Sequence, residues 1–263
     1  MLKIRQYVKA QSLEEAYTLC QKKGSVVLGG MLWLKMQNRP VGTAIDLCGL
    51  GLDTIEETDT EYRIGAMVPL RAIETHPGLN ALTQGAFRDC LSPIIGVQFR
   101  NLATIGGSIW GRFGFSDPVT LFLALGARVE LFHRGVLSLE DFLNQPTQAD
   151  LLVRVILPKT PVQAVYLSQR NTATDFPTLT CAVCKREGEY LCALGGRPST
   201  AALYRDESGI LSGGITEEST AAFGEDLSNR ASFGTNLRGS AEYRQKISKV
   251  LVRRALLAMK EGE

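Results

Sequence analysis

The stretch that decides the fold reads Arg100-Asn-Leu-Ala-Thr-Ile-Gly-Gly-Ser-Ile109, an apolar segment interrupted by two adjacent glycines. A second glycine pair stands earlier in the chain, in Val27-Leu-Gly-Gly-Met31. Both pairs follow apolar residues that favour strands, so each pair is expected where a buried strand ends. Glycine permits positive φ angles and a close approach of the backbone to an anion, which successive N–H groups can bind. Either pair alone is more simply a tight turn, whereas the two together make a pyrophosphate clasp an equally good interpretation.

The common nucleotide-binding patterns are absent from the sequence. Gly24 and Gly29 have the spacing of a phosphate-binding P-loop, but Gly30-Met31 stands where that loop requires Lys followed by Ser or Thr. The three-glycine pattern of Rossmann folds stops after Gly49-Leu-Gly51. Both of these nucleotide-binding folds are therefore disfavoured.

The first part of the chain alternates between helix and strand patterns. Ser12 and Glu15 predict a capping box at the start of a helix that Gly24 is placed to end. A strand, the first glycine pair, a short helical stretch and another strand complete a small unit. A hairpin opens the part that follows. We therefore predict two subdomains, over about residues 1–51 and 52–158.

The second part begins at a predicted boundary, Pro158-Lys-Thr-Pro161. Three later segments alternate like antiparallel strands: Val162–Gln169, Leu179–Arg186 and Tyr190–Leu194. A helix is expected from about Ser240 to Lys260. The predicted fold class is α+β, with a two-part α/β domain over residues 1–158. A smaller α+β domain over residues 159–263 has an antiparallel sheet and a long terminal helix.

Composition and charge are those of an ordinary globular chain. Of the 263 residues, 44% are apolar and 21% are charged, and the net charge is +2. No Lys/Arg block occurs, so nucleic acid is not an expected partner. The longest apolar runs are too short to cross a membrane, and the N-terminus lacks the features of a signal peptide. We therefore expect a cytoplasmic protein without a membrane span.

The cysteine and histidine residues give no convincing reactive site. Cys181 and Cys184 form a C-x-x-C, with Cys192 further on, which is typical of half a metal site or of a redox pair. The surrounding run predicts a strand, which sends residues three apart to opposite faces. Buried structural thiols and no metal site are therefore predicted. His76 and His133 carry no supporting motif, and we predict no catalytic side chain.

Several motifs together resemble a known family. The stretch Arg100–Ile109, followed by Ser116-Asp117 and Leu123–Ala127, looks like the FAD-binding subunit of the molybdenum hydroxylases. That family includes xanthine dehydrogenase, nicotinate dehydrogenase and the carbon monoxide dehydrogenase medium subunit. The first glycine pair is similar to the family's Gly-Gly-Thr-Asp-Leu loop. The family's C-terminal domain is matched by Leu194–Pro198, Gly239–Gln245 and Val250–Leu256.

The resemblance implies that residues 1–158 form an FAD-binding domain and that both glycine turns hold the FAD pyrophosphate by backbone N–H groups. The implied residues are Leu28, Gly29, Gly30 and Met31 on one side, and Thr104, Gly106, Gly107 and Ser108 on the other. Trp110 follows the second turn. Its indole either covers one face of the flavin ring or packs in the core.

Three further residues are implied with alternatives left open. Asp117 matches the family's acid beside the dinucleotide, where a carboxylate suits ribose hydroxyls, and it is read equally well as a helix N-cap before Pro118. Arg170 and Asp175 fall where the family brings its C-terminal domain towards the flavin, or they form a surface ion pair.

The first turn departs from the family pattern at two points. Met31 stands where the family usually has Thr, so a hydroxyl to the phosphate is lost, although the backbone N–H remains. Leu32-Trp33 replaces the usual acid-containing continuation. The fine geometry of this turn is therefore expected to differ from the family's.

The same resemblance implies a role in electron transfer. FAD on this chain would take electrons from 2Fe–2S clusters on a partner iron–sulfur subunit and pass them to an acceptor such as NAD. Substrate hydroxylation would occur on a molybdopterin-binding subunit of the same complex. The chain is thus predicted to be an oxidoreductase subunit that is inactive alone. The alternatives are a flavin-free scaffold subunit and a stand-alone flavin oxidase.

Overall fold

The computed structural model describes residues 1–160 and 162–261, so Pro161 of the predicted boundary lies outside the described residues. The chain forms two compact units. Unit 1 comprises Met1–Ala72, Val97–Gly111 and Ala127–Lys159, and unit 2 comprises Ile73–Gly96, Arg112–Gly126 and Thr160–Glu263. The extents of the two predicted functional domains, 1–158 and 159–263, stay predictions.

The described residues contain strands and helices in a mixed order. The strands are β1 (Lys3–Lys9), β2 (Ser25–Leu28), β3 (Pro40–Asp46), β4 (Ile55–Glu57), β5 (Glu61–Gly65), β6 (Arg128–Leu131), β7 (Gly135–Ser138), β8 (Leu152–Pro158), β9 (Val162–Arg170), β10 (Pro177–Arg186), β11 (Glu189–Gly195) and β12 (Ala202–Arg205). The helices are α1 (Leu13–Cys20), α2 (Leu70–Thr75), α3 (Pro77–Leu82), α4 (Ala86–Leu91), α5 (Val97–Leu102), α6 (Ile105–Trp110), α7 (Asp117–Ala124), α8 (Leu139–Asn144), α9 (Glu217–Arg230) and α10 (Ala241–Glu261). None of these helices is both long enough and apolar enough to span a lipid bilayer.

Unit 1 contains two sheets. A parallel three-stranded sheet has the order β1-β3-β2, and its last β2–β3 pair joins Leu28 to Asp46. Helix α1, capped by Ser12, covers the sheet with the buried Ala16. The second sheet is antiparallel, with the order β4-β5-β8-β6-β7. Because Leu28 ends β2, the first glycine pair emerges at the carboxyl edge of the parallel sheet.

Unit 2 is built on one antiparallel sheet of order β12-β11-β10-β9. Helices α9 and α10 bury Phe223, Leu227 and Val252 in one core with the sheet residues Leu179 and Leu194. This apolar contact is what holds the long terminal helix on the sheet. The α+β fold predicted from the sequence is confirmed, including the antiparallel meander and the terminal helix.

The second glycine pair does not follow a strand, so that expectation is wrong. Helix α5 ends at Leu102, Thr104 makes only an isolated bridge to Pro69, and helix α6 begins at Ile105. The Thr104 hydroxyl accepts a hydrogen bond from the Gly107 N–H at 3.1 Å, which caps α6. The pair therefore lies in the first turn of a helix, because side-chain capping at Thr104 outweighs the strand preference of the apolar residues around it.

Candidate functional site

The first glycine turn leaves backbone donors available at the end of β2. Leu28 is buried as the last residue of the strand, and Gly29 and Gly30 are partly exposed. Among the described residues, the N–H groups of Gly29 and Gly30 have no hydrogen-bond acceptor in the protein. The left-handed backbone conformation falls on Met31, with φ of 59°, and not on either glycine. The positive φ angle that the sequence pattern suggests for the glycines is therefore carried by their neighbour.

The second glycine turn differs because its N–H groups serve the fold. The Gly106 N–H donates to the Ala66 carbonyl at 2.8 Å, and the Gly107 N–H donates to the Thr104 hydroxyl. The Ser108 N–H and hydroxyl both donate to the Thr104 carbonyl at 3.1 Å. What this turn offers a ligand is the exposed backbone surface of Gly107.

The two turns, 77 positions apart from Gly30 to Gly107, meet inside unit 1. A Cβ atom added to Gly30 would collide with the carbonyl oxygen of Leu102. A Cβ atom on Gly29 would lie 2.7 Å from the Thr104 hydroxyl oxygen and 3.8 Å from the Gly107 Cα. The structure thus places side by side the two glycine pairs that the sequence pattern indicates, with no room for a side chain on Gly29 or Gly30.

Close packing explains why glycine is needed at three of the four positions, but not at the fourth, Gly107. Gly30 and Gly29 face Leu102 and Thr104 as described, and a Cβ on Gly106 would lie 2.5 Å from the Ala66 carbonyl oxygen. A Cβ on Gly107 would meet only the Thr104 hydroxyl, at 3.2 Å. A side chain at Gly107 would otherwise point into open space, so the fold alone does not require glycine there. The absence of a side chain at Gly107, beside two unpaired N–H groups, fits a surface against which a bulky anion lies.

The remaining FAD-site prediction in unit 1 concerns Trp110, the last residue of α6. Its ring is partly buried and packs against Phe142 of α8, with ring centroids 5.8 Å apart and planes inclined at 42°. At least one side of the Trp110 ring is therefore packed within the protein, as the core-packing alternative has it. That these unit 1 residues hold FAD stays a prediction.

Asp117 lies in unit 2 and is engaged with other side chains. The N-cap of α7 is Ser116, whose hydroxyl accepts from the Val119 N–H at 3.4 Å, so the reading of Asp117 as the N-cap is wrong by one residue. One carboxylate oxygen of Asp117 accepts hydrogen bonds from the Tyr166 hydroxyl and from the Arg170 guanidinium. We call these three residues the Asp117 cluster.

The Asp117 cluster is buried, and burial dominates its electrostatics. The Asp117 and Arg170 side chains are 6% and 7% exposed. Burial raises the pKa of Asp117 to about 6, although Arg170 and Tyr166 act in the opposite direction. The Tyr166 hydroxyl is also buried, and its pKa is raised well above its usual value for the same reason. The cluster therefore satisfies its charges internally.

Arg170 and Asp175 do not form the surface ion pair that the sequence analysis left open. Arg170 donates to the backbone carbonyl of Asp175 at 2.5 Å, and its ion pair is with Asp117. The Asp175 carboxylate lies 3.6 Å from the guanidinium of Arg238. Arg170 thus anchors the loop after β9. A contact of either residue with the flavin stays a prediction.

Cys181, Cys184 and Cys192 are buried thiols, as predicted. Cys181 and Cys192 lie with their sulfur atoms 3.9 Å apart, and the Cys184 thiol donates to the Ala124 carbonyl at 2.8 Å. Burial raises the pKa of Cys184 to about 12, which keeps it protonated. Within residues 1–160 and 162–261, no three His, Cys, Asp or Glu side chains gather as a metal site would need.

Two features of the glycine site escape sequence reasoning. The first is the packing of the Leu102 carbonyl on Gly30. No local sequence pattern predicts a contact between residues so distant in the chain. Trp33 packs edge-on against Phe99, with ring centroids 5.9 Å apart. The sequence does carry a signal for the Trp33–Phe99 contact. Trp33 is an aromatic residue three positions after Gly30, which departs from the Gly-Gly-Thr-Asp-Leu pattern.

The chain is similar to several known proteins. Residues 2–160 match the family model described as the FAD binding domain in molybdopterin dehydrogenase. The nicotine 6-hydroxylase medium subunit of Paenarthrobacter nicotinovorans is 25% identical over 95% of each chain. The carbon monoxide dehydrogenase medium chain of Afipia carboxidovorans is 26% identical, over 95% of this chain and 94% of that one.

A solved structure shows the same fold. Carbon monoxide dehydrogenase from Hydrogenophaga pseudoflava contains a chain that superimposes with a TM-score of 0.87 at 23% identity, covering 97% of each chain. The family match spans more than half of the chain and includes both glycine turns. The chain therefore belongs to the family of FAD-binding domains of molybdopterin dehydrogenases, and its cofactor is FAD.

Proposed function

We propose that this chain is the electron-transfer subunit of a multi-subunit molybdopterin-dependent dehydrogenase. Its FAD would receive electrons from 2Fe–2S clusters on an iron–sulfur subunit and deliver them to an acceptor such as NAD. Substrate oxidation would take place on a separate molybdopterin-binding subunit. The similarity to chains named as medium subunits of nicotine 6-hydroxylase and carbon monoxide dehydrogenase supports this assignment.

The observation that carries the proposal is the meeting of the two glycine turns. The N–H groups of Gly29 and Gly30 would donate to the pyrophosphate of FAD, and the bare backbone of Gly107 would allow its approach. Thr104 would act indirectly, because its hydroxyl caps α6 and fixes Gly107 beside Gly29. Met31 would contribute its backbone N–H from the left-handed conformation.

The residues of this chain would bind and orient FAD, and the cofactor would supply the redox chemistry. Bound FAD accepts electrons one at a time and exchanges a hydride with nicotinamides. No acid or base of this chain is needed for that exchange. We include Leu28, Ser108, Trp110 and Asp117 in the proposed site on resemblance alone.

The test is to purify the chain together with the subunits that copurify and to record its visible spectrum. Flavin released by denaturation should be FAD at one equivalent per chain, with additional iron–sulfur absorbance and with molybdenum by elemental analysis. Anaerobic addition of NADH should bleach the flavin band. A folded preparation that takes up no FAD would contradict the proposal and favour a scaffold subunit. Substrate oxidation by the isolated chain would instead indicate a stand-alone flavin oxidase.

A further inference from the structure

The terminal helix α10 carries apolar side chains on two different faces. One face is buried in the core of unit 2 by Leu251, Val252, Ala255, Leu256 and Met259. A second set of apolar side chains lies outside this core. Tyr243 and Val250 are 40% and 39% exposed, and Leu257 is partly exposed. The second face is therefore open to solvent along much of the helix.

The exposed apolar residues form one line along α10. Tyr243, Val250 and Leu257 follow one another at seven-residue steps, so the line turns by only about 20° at each step. At about 1.5 Å per residue it is about 21 Å long. We call this line the α10 stripe. Apolar residues that recur every seven positions are the pattern by which one helix packs along another.

Helix α9 does not occupy the α10 stripe. It approaches α10 on another side, where a Cβ atom added to Gly224 would lie 3.1 Å from the carbonyl oxygen of Lys249. Lys249 is rotated by about 100° from Val250, the residue in the middle of the stripe. The stripe thus has the spacing of a helix-packing seam and stays exposed beside a helix pair that is already formed.

The basic residues of α10 fall into two groups. On the side of α9, Lys249 and Arg253 form ion pairs with glutamates of that helix, Glu225 and Glu217. Lys246 and Arg254 lie along the α10 stripe instead, and both are exposed. Within residues 1–160 and 162–261, neither of these two side chains has an ion-pair partner.

This charge pattern disfavours a second copy of the chain as the occupant. An antiparallel pair of α10 stripes centred on Val250 would place Lys246 opposite Arg254, and a parallel pair would place each base opposite itself. Like charges facing each other across an interface destabilise it. A helix with carboxylates at these positions would form ion pairs in their place.

An anionic lipid surface also fits poorly. The side chains of Glu217 and Glu225 are 68% and 56% exposed beside the stripe, and Glu242 is exposed at the start of the same helix. These carboxylates would face the negative charge of the lipid headgroups. The apolar stripe is also a single line of residues, narrower than the wide apolar face of a helix that lies in a membrane interface.

We propose that the α10 stripe docks an amphipathic helix of a partner subunit. That helix carries apolar residues along its seam and Asp or Glu opposite Lys246 and Arg254. The inference rests on the proposed function in a multi-subunit complex, and it adds the surface through which this chain holds one of its partners.

Carbodiimide cross-linking of the purified complex tests the contact directly. The reagent couples a lysine amine to a nearby carboxylate as an amide and takes up the water that is lost. Lys249 should link to Glu225 within the chain, which serves as the internal control. We expect Lys246 to link to an Asp or Glu of another subunit, identified by mass spectrometry of the joined peptides.

Charge reversal measures how much the contact contributes. The double variant Lys246→Glu/Arg254→Glu should weaken association with the copurified subunits by at least about tenfold, measured by sedimentation over a dilution series. Lys22→Glu/Lys23→Glu is the matched control, because it changes the net charge equally at two other exposed lysines, and it should associate like the wild type. Added salt should weaken the wild-type complex more than that of the Lys246→Glu/Arg254→Glu variant. All variants should keep their FAD.

Three outcomes would overturn the proposed docking surface while sparing the proposed function. They are wild-type association of Lys246→Glu/Arg254→Glu, a cross-link from Lys246 to a second copy of this chain only, and binding of the chain to phosphatidylserine vesicles that this double variant abolishes. A wild-type chain that copurifies with no other subunit would instead remove the proposed function, and the docked partner with it.

Discussion

The glycine turns of unit 1 and the Asp117 cluster of unit 2 carry the same assignment by resemblance, yet they are built in opposite ways. In the part of the chain that the structure describes, the N–H groups of Gly29 and Gly30 have no acceptor, and Gly107 presents bare backbone. In the Asp117 cluster, one carboxylate oxygen already accepts from a tyrosine and an arginine, and the group is buried. A site made of backbone stays available to a ligand, whereas a site made of buried charge tends to be satisfied by the fold itself.

The largest expected effect is the loss of folding in Gly30→Ala. The added Cβ would collide with the Leu102 carbonyl, and backbone cannot move aside as a flexible side chain does. We expect a loss of at least about 4 kcal/mol in the free energy of unfolding, measured by chemical denaturation. Gly213→Ala is the control, because a Cβ there meets no atom within 4 Å. Equal stability of the two variants would show that the two turns are not packed as described.

The next effect separates ligand binding from folding. Gly107→Val should fold, because a Cβ atom at this exposed position meets only the Thr104 hydroxyl and valine is a better helix former than glycine. It should lose at least about a hundredfold in FAD affinity, roughly 3 kcal/mol, because the side chain occupies the surface left for the anion. Gly107→Ala should show a smaller loss. Full FAD occupancy in a folded Gly107→Val protein would refute the proposed site.

Asp117 is expected to affect stability more than FAD binding. Asp117→Ala leaves the Tyr166 hydroxyl and the Arg170 guanidinium buried without their partner, which costs about 3–5 kcal/mol. Asp117→Asn keeps an oxygen that accepts from both donors and should cost much less. Its FAD occupancy should fall far less than that of Gly107→Val. If Asp117→Asn releases FAD while remaining as stable as the wild type, Asp117 binds the cofactor directly and the contrast with the glycine turns fails.

The pH dependence of stability gives an independent check on the same residue. Burial raises the pKa of Asp117 to about 6, above the value of about 3.9 for an unfolded aspartate. Between these values the folded chain holds the proton more tightly than the unfolded chain. The contribution of Asp117 to the free energy of unfolding therefore falls as the pH rises through this window, and is constant above it. Wild type should lose stability relative to Asp117→Asn between about pH 4 and pH 6, and a constant difference would contradict the raised pKa.

The sequence predicts the glycine pairs and the α+β fold but not the reasons why glycine is required. Apolar runs and turn residues suffice to place β2, the meander and α10, because these signals are local. Gly106 lies in a helix because Thr104 caps that helix. A capping box would have Glu or Gln three residues after Thr104, and the sequence has Gly107 there, so the usual signal of a helix start is missing. Helix α9 is missed for a similar reason, since its capping box pairs Thr216 with Ser219.

Long-range contacts mark the other limit of prediction from the sequence. The collision that forbids a side chain at Gly30 depends on Leu102, and the partners of Asp117 lie on β9. Neither contact leaves a trace in the spacing of residues. The resemblance supplied which positions matter, and only the packing distinguishes Gly107, whose open surface fits ligand binding, from Gly30, which the fold requires.

The smallest expected effect concerns Met31, the one residue of the first turn with a left-handed backbone. Its φ of 59° costs a residue with a side chain about 1–2 kcal/mol. Met31→Gly removes that cost. It also raises the conformational entropy of the unfolded chain, which lowers the free energy of unfolding by about 0.4–1 kcal/mol. We expect a net gain of roughly 0.5–1 kcal/mol in thermal or chemical unfolding, with FAD affinity unchanged because the backbone N–H remains. Met31→Val should be destabilised, since β-branched residues tolerate this conformation poorly. If Met31→Gly instead weakens FAD binding, the methionine side chain itself contacts the cofactor, and the first turn is not a purely backbone site.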